Sequence, residues 1–282
     1  AMGYQALKTF EADTDGHGWN TAIGSAAMRD ATTATNCVAI GYLALGDGVM
    51  TGDNNVAVGT QAGKLITSGV DNIFMGTFAG DALTTGSQNV AIGKSALSLE
   101  DGGSGNVAIG FAALSDLDAG ADAYNVAIGR SAGAAMTTGN ENTVIGGFAG
   151  DALTTGSSNT VLGYLALTAA NSTESQNVAI GAYSLNAMDN GSTTNTHNTA
   201  VGYYSGVAVT TGRQNTILGA LAGDALTTGT NNMVIGYNAA ASAVDVSNEI
   251  TLGDANISAF RCADQSIAAL SDGRDKSDVV ES

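Results

Sequence analysis

Asn89-Val90-Ala91-Ile92-Gly93 is followed 17 residues later by Asn106-Val107-Ala108-Ile109-Gly110, and variants of this pentad punctuate the whole 282-residue chain. The closing glycine recurs at Gly24, Gly41, Gly59, Gly76, Gly93, Gly110, Gly129, Gly146, Gly163, Gly181, Gly202, Gly219, Gly236 and Gly253. Nine of the thirteen intervals are 17 residues, two are 18, and the exceptions are 19 and 21. A unit of that size cannot bury a core alone, so neighbouring units must stack. It is too short for a helical hairpin or a propeller blade. It suffices for one coil of a β-solenoid with two short strands, and the expected fold is all-β, a rod of parallel coils.

Composition agrees with a thin, closely stacked core: 39 glycines, no proline, 5% aromatics, and an apolar fraction supplied mainly by Ala, Val, Ile and Leu. A formal charge of −17 argues against nucleic acid or an anionic membrane surface as partner, because phosphates need a positive face. No apolar run reaches the ~18 residues of a spanning helix, so no membrane insertion is expected. The chain opens inside a unit, at Gly3-Tyr4-Gln5-Ala6-Leu7, which reads as the end of a unit begun earlier. Cys37 and Cys262 lie thirteen units apart, roughly 60 Å at ~4.8 Å per strand, too far for a disulfide.

Within the pentad, the residue before the anchor glycine is Ile, Leu, Val or Met in all fourteen units, and the residue two earlier is Val, Thr, Ile or Met. These two columns share a strand face and are expected to fill the coil's interior. The residue between them, such as Ala91 or Ala108, is apolar in thirteen units and is expected to face outward. That would leave an apolar stripe along the rod, which sister chains would cover, with three-fold closure suiting an elongated rod. Asn opens the strand in twelve units, Asn89 and Asn106 among them, and stacked Asn side chains can form a hydrogen-bonded ladder. The anchors, Gly93 and Gly110 for example, supply positive φ at a bend. All of these columns read as structural.

Asn-Val-Ala-Ile-Gly-x-x-Ala resembles the head repeat of trimeric autotransporter adhesins, which implies a left-handed parallel β-roll assembled as a homotrimeric rod. The unit here is a few residues longer, and longer versions are similar to those of phage tail fibres. Ser271-Asp272-Gly273-Arg274-Asp275-Lys276 resembles the opening of the intramolecular chaperone domain of phage tail spikes, tail fibres and endosialidases. That resemblance implies a serine nucleophile at Ser271, activated by Lys276, cleaving the Leu270-Ser271 bond. The expected organisation is a repeat domain over 1–260, a linker over 261–270, and the edge of a chaperone over 271–282. The implied function is a virion tail-fibre segment attaching to a host surface glycan or receptor. A bacterial adhesin head at the cell surface is the alternative, and a polysaccharide-degrading tailspike the third.

Longer intervals in solenoids emerge as loops, where binding commonly resides. Trp19, His197, Tyr203 and Tyr204 lie near such loops and are candidates for glycan contact; packing between neighbouring coils competes as a reading of the tyrosines. Asp116, Asp118 and Asp122 alternate in a way that could hold calcium, although the terminal Glu of a full calcium loop is missing. No other cofactor is implied. Asp81, Asp151 and Asp224 recur in one column, but four units apart, which does not suit the paired carboxylates of a glycosidase. The remnant junction aside, no enzyme is expected. Paired threonines such as Thr84-Thr85 and Thr154-Thr155 suggest an ice-binding lattice, but they stack only two rungs deep, and turn chemistry accounts for them better.

Overall fold

The computed structural model describes residues 1–10, 18–169, 173–189, 191 and 195–259. Fourteen three-residue strands, from Thr21–Ile23 to Ile250–Leu252, form one parallel sheet in strict chain order. Pairing is in register with the repeat: Val90, Ala91 and Ile92 lie beside Val107, Ala108 and Ile109. Among the described residues there is no helix. The chain is a β-solenoid whose coils each contribute one rung of sheet; in place of the second short strand expected in each coil the described residues form turns, with isolated bridges at Ala31–Met50 and Ser175–Asn195.

The expected assignment of the two strand faces is reversed. The middle residue is buried in thirteen strands, with Ala91, Ala108 and Ala127 at 0% exposure. The Val and Ile columns on either side face out: Ile40, Ile73, Met75, Leu162 and Leu218 are all exposed. The reason is the narrowness of the coil. Across from Ala108, the wall of the same coil brings in Ala113, Leu114 and Leu117, all fully buried. One small residue per strand is all the interior can admit, so the bulkier pair must point away. Period-2 alternation says that faces differ, not which is inside, when both are apolar.

Interior volume is balanced between adjacent coils. Leu97 and Leu114 occupy a left-handed position (φ 53° and 48°) four residues beyond their anchors. Where the strand carries Phe74 instead of Ala, that position is Gly63 in one coil and Gly80 in the next. A Cβ there would come within 2.5 Å and 2.4 Å of the Phe74 ring. Ile217 stands likewise between Gly206 and Gly223, whose added Cβ atoms would meet its Cδ1 at 2.8 and 3.3 Å. Since leucine tolerates the same φ elsewhere, these glycines provide space rather than conformational freedom.

A ladder of buried asparagines runs beside the strands. The backbone amide of Asn142 donates to Asn125 Oδ1 at 3.0 Å, and Asn125 Nδ2 donates to the Gly139 carbonyl at 2.8 Å. The pattern carries on to the far end, where the amide of Glu249 donates to Asn232 Oδ1. Cys37 takes the asparagine position in its coil: its sulfur accepts the Asn55 amide at 3.4 Å and donates to the Thr35 carbonyl at 3.3 Å. Burial pushes the Cys37 thiol up to about 11, which keeps it protonated at neutral pH. Cys262 lies outside the described residues. Threonine hydroxyls in the turns donate to carbonyls of the following coil, as Thr84 Oγ1 does to Asp101 at 2.9 Å, so the paired threonines act as turn chemistry.

Candidate functional site

The strands present an outward, mostly apolar face fourteen rungs long and two residues wide: Ile, Leu, Val or Met fills one column throughout, and Thr replaces the apolar residue of the other column on five rungs. At ~4.8 Å per rung and ~7 Å between alternate residues, the strip is about 60 Å long, before its flanks are counted. This is a long continuous patch for an isolated chain in water.

The candidate glycan residues fall into two groups on opposite sides of this face. Trp19 and His197 each stand five residues before an anchor, on the side where the chain enters the strand, and both are exposed. They belong to coils ten units apart, roughly 50 Å along the axis. Tyr203 and Tyr204 follow their anchor, on the side where the chain leaves. There they end an array of rings that sequence reading had only as separate aromatics. Arg130 lies 5.7 Å from the Phe111 ring and 5.3 Å from that of Phe148. Phe148 meets Tyr164 edge-on at 6.3 Å, Tyr164 meets Tyr183 at 5.7 Å, and Tyr183 meets Tyr203 at 6.5 Å. Tyr204 lies tilted beside Tyr183 at 4.7 Å and Tyr203 at 4.4 Å, and the edge-to-face and tilted contacts together bind coil to coil.

Asp116, Asp118 and Asp122 are not brought together. Asp122 accepts the Tyr124 hydroxyl at 3.1 Å, and Asp116 accepts the Ser115 hydroxyl at 3.2 Å. Asp118 instead approaches Glu100 and Asp101, with carboxylate oxygens within 4.8 Å of one another. The fully buried Glu100 stands where other coils place Leu83, Met136 or Leu153. Its oxygens accept the amides of Gly102 (3.2 Å), Gly103 (2.6 Å) and Ala119 (3.1 Å). Glu100 thus satisfies two amides of its own turn and one, that of Ala119, in the longer loop of the next coil, and its role is explained by those bonds. The missed signal was an acidic residue in an otherwise apolar column.

Asp81 has one buried carboxylate oxygen, Oδ1, with no hydrogen-bond partner. Desolvation raises the carboxyls of both Asp81 and Asp151; for Asp81 the charge of Lys64 pulls partly the other way. A carboxyl whose folded pKa is raised binds more protons folded than unfolded between the two values. Stability contributed by Asp81 and Asp151 is therefore greatest below the ordinary carboxyl range and is lost as pH rises through the raised one. Asp81→Asn is expected to stabilise the protein slightly at pH 7, solvent screening of the half-buried group keeping the gain small, and to flatten this part of the pH dependence. Urea denaturation at a series of pH values would detect it; an unchanged slope would contradict the assignment.

Ser271 and Lys276 lie outside the described residues. Among the described residues, no helix is long and apolar enough to cross a membrane. In comparison with known proteins, the chain matches no family model, no curated protein and no solved structure.

Proposed function

We propose that this chain is a rod segment of a phage tail fibre, assembled as a homotrimer, that attaches the particle to a glycan on the host surface. The observation that carries this reading is the outward Val/Ile face. Its width matches a single strand, and it runs the length of the sheet, as a seam shared by parallel sister rods would. Three copies around one axis would each give this face to both neighbours and leave the loops at the periphery. The resemblance of the C-terminal residues to a trimerising chaperone supports the same assembly, with Ser271 and Lys276 as its self-cleavage pair.

Sedimentation equilibrium is expected to give three times the chain mass. Ile92→Asp, Ile109→Asp and Ile128→Asp together are expected to yield monomer, since three carboxylates per chain would be forced into a closed apolar seam. Ala91, Ala108 and Ala127 point inward and are no part of that seam. A wild-type monomer at micromolar concentration would remove the reading. For the junction, a chain extended through the whole chaperone is expected to lose its C-terminal part, and Ser271→Ala to retain it, as read by intact mass.

A further inference from the structure

On the entering side of the sheet, three successive coils enclose a shallow cleft of about 450 Å³, lined by Asn195 and His197, by Arg213 and Gln214, and by Thr228 and Thr230. No carboxylate lines it, in a chain with 26 acidic residues against nine lysines and arginines. Asp189, on the preceding loop, has an oxygen occupied by the Gly191 amide at 3.0 Å. Arg213 is exposed and makes no ion pair or side-chain hydrogen bond with any described residue. The other two arginines among the described residues are engaged: Arg29 binds Asp30 and Asp47, and Arg130 lies against two rings; of the lysines, Lys64 binds Asp47.

The cleft continues along the rod. A second hollow of about 250 Å³ shares Gln214 and extends over Asn231 and Asn248, whose amides bond each other at 2.8 Å. Glu249 lines this extension but is held by Ser242 and Thr251. Amide side chains thus project from successive coils at ~4.8 Å spacing, next to one free guanidinium. Hydroxyl-rich ligands suit the amides and threonines, which both donate and accept. A guanidinium fork suits a carboxylate, which it can bind through two parallel hydrogen bonds.

We propose that this cleft binds a carboxylate-bearing sugar within an acidic oligosaccharide, Arg213 clamping the carboxylate while Gln214, His197 and Thr230 meet the hydroxyls. The proposal rests on the reading of the rod as a glycan-binding segment and adds the charge class of the glycan. In so acidic a protein an anion would be repelled from most of the surface, so a carboxylate-free cleft around an unpaired arginine is where it can be held.

The test uses the assembled protein on an immobilised panel of neutral galactan oligomers, oligogalacturonate, and oligogalacturonate with its carboxyls methyl-esterified. Oligogalacturonate is expected to bind, the ester not, and added salt to weaken the binding. Arg213→Gln is expected to lower affinity about tenfold or more and Arg213→Lys to retain part of it. Thermal stability should be unchanged in both variants, because the side chain bonds to none of the described residues. Equal binding of acid and ester, or wild-type affinity in Arg213→Gln, overturns the proposal. Binding to the neutral oligomers alone overturns it and leaves glycan attachment standing. Binding to none of the panel overturns it too, and the trimeric-rod reading then depends on the sedimentation experiment alone.

Discussion

Replacing Gly129 with alanine is expected to cost more than about 4 kcal/mol and to break the rod at that coil. Gly129 has φ +137°, and an added Cβ would sit 2.5 Å from the Gly146 carbonyl oxygen and 2.6 Å from its carbon. Both are backbone atoms of the next coil, held by the sheet, so no side-chain rotation relieves the clash. The anchors stack in this way from Gly24 to Gly219, each with the following anchor's carbonyl oxygen 2.3 to 2.6 Å from where a Cβ would be. Gly120→Ala is the control: its φ is +60° and nothing lies within 4 Å, so a penalty near 1 kcal/mol is expected. Hydrogen exchange read coil by coil would separate local rupture around Gly129 and Gly146 from global unfolding. Similar penalties for the two variants would mean that the close stacking of anchors is not what confines them to glycine.

Asn125→Ala is the second large effect, expected to destabilise by about 3–5 kcal/mol. The substitution removes the acceptor of the Asn142 amide and the donor to the Gly139 carbonyl, both in a region closed to water. Two buried backbone groups would lose their partners, and that penalty exceeds the net value of the bonds themselves. Asn125→Asp keeps an acceptor but buries a charge against the Gly139 carbonyl, so it is not expected to rescue. Chemical denaturation gives the size of the loss. Cys37 offers a milder natural comparison, since its sulfur still accepts the next coil's amide. A loss under 1 kcal/mol would mean that the ladder is incidental to stability.

Most of the fold was legible because the repeat leaves few alternatives: one coil per unit, stacked parallel and in register, although only one of the two strands expected in each coil forms. What the residues withheld was the sense of the strand faces. Val90 and Ile92 carry more apolar surface than Ala91, and a preference for large residues inside gives the wrong answer in a coil this thin. The arrangement was encoded all the same, in the glycines flanking Phe74 and Ile217, which would need no space were those side chains outside. The site was less legible. Trp19 and His197 look alike by offset from their anchors, yet the rod sets them far apart. Asp118 finds Glu100 from the coil before rather than Asp116 and Asp122 beside it. Arg213 drew no notice because its isolation from carboxylates exists only in three dimensions.

The Phe74 and Ile217 arrangements bear on how the chain avoids misassembly. Near-identical units invite slippage by a whole repeat, since a strand displaced by one unit would find almost the same partners. Phe74 denies that freedom: shifted along the axis, its ring would land on Leu45 or Leu97, where its proper neighbours leave a glycine gap. Ile217 does the same further on. These bulky residues work as index marks in an otherwise monotonous thread, giving each coil an address that the Asn-Val-Ala-Ile-Gly pentad alone does not supply.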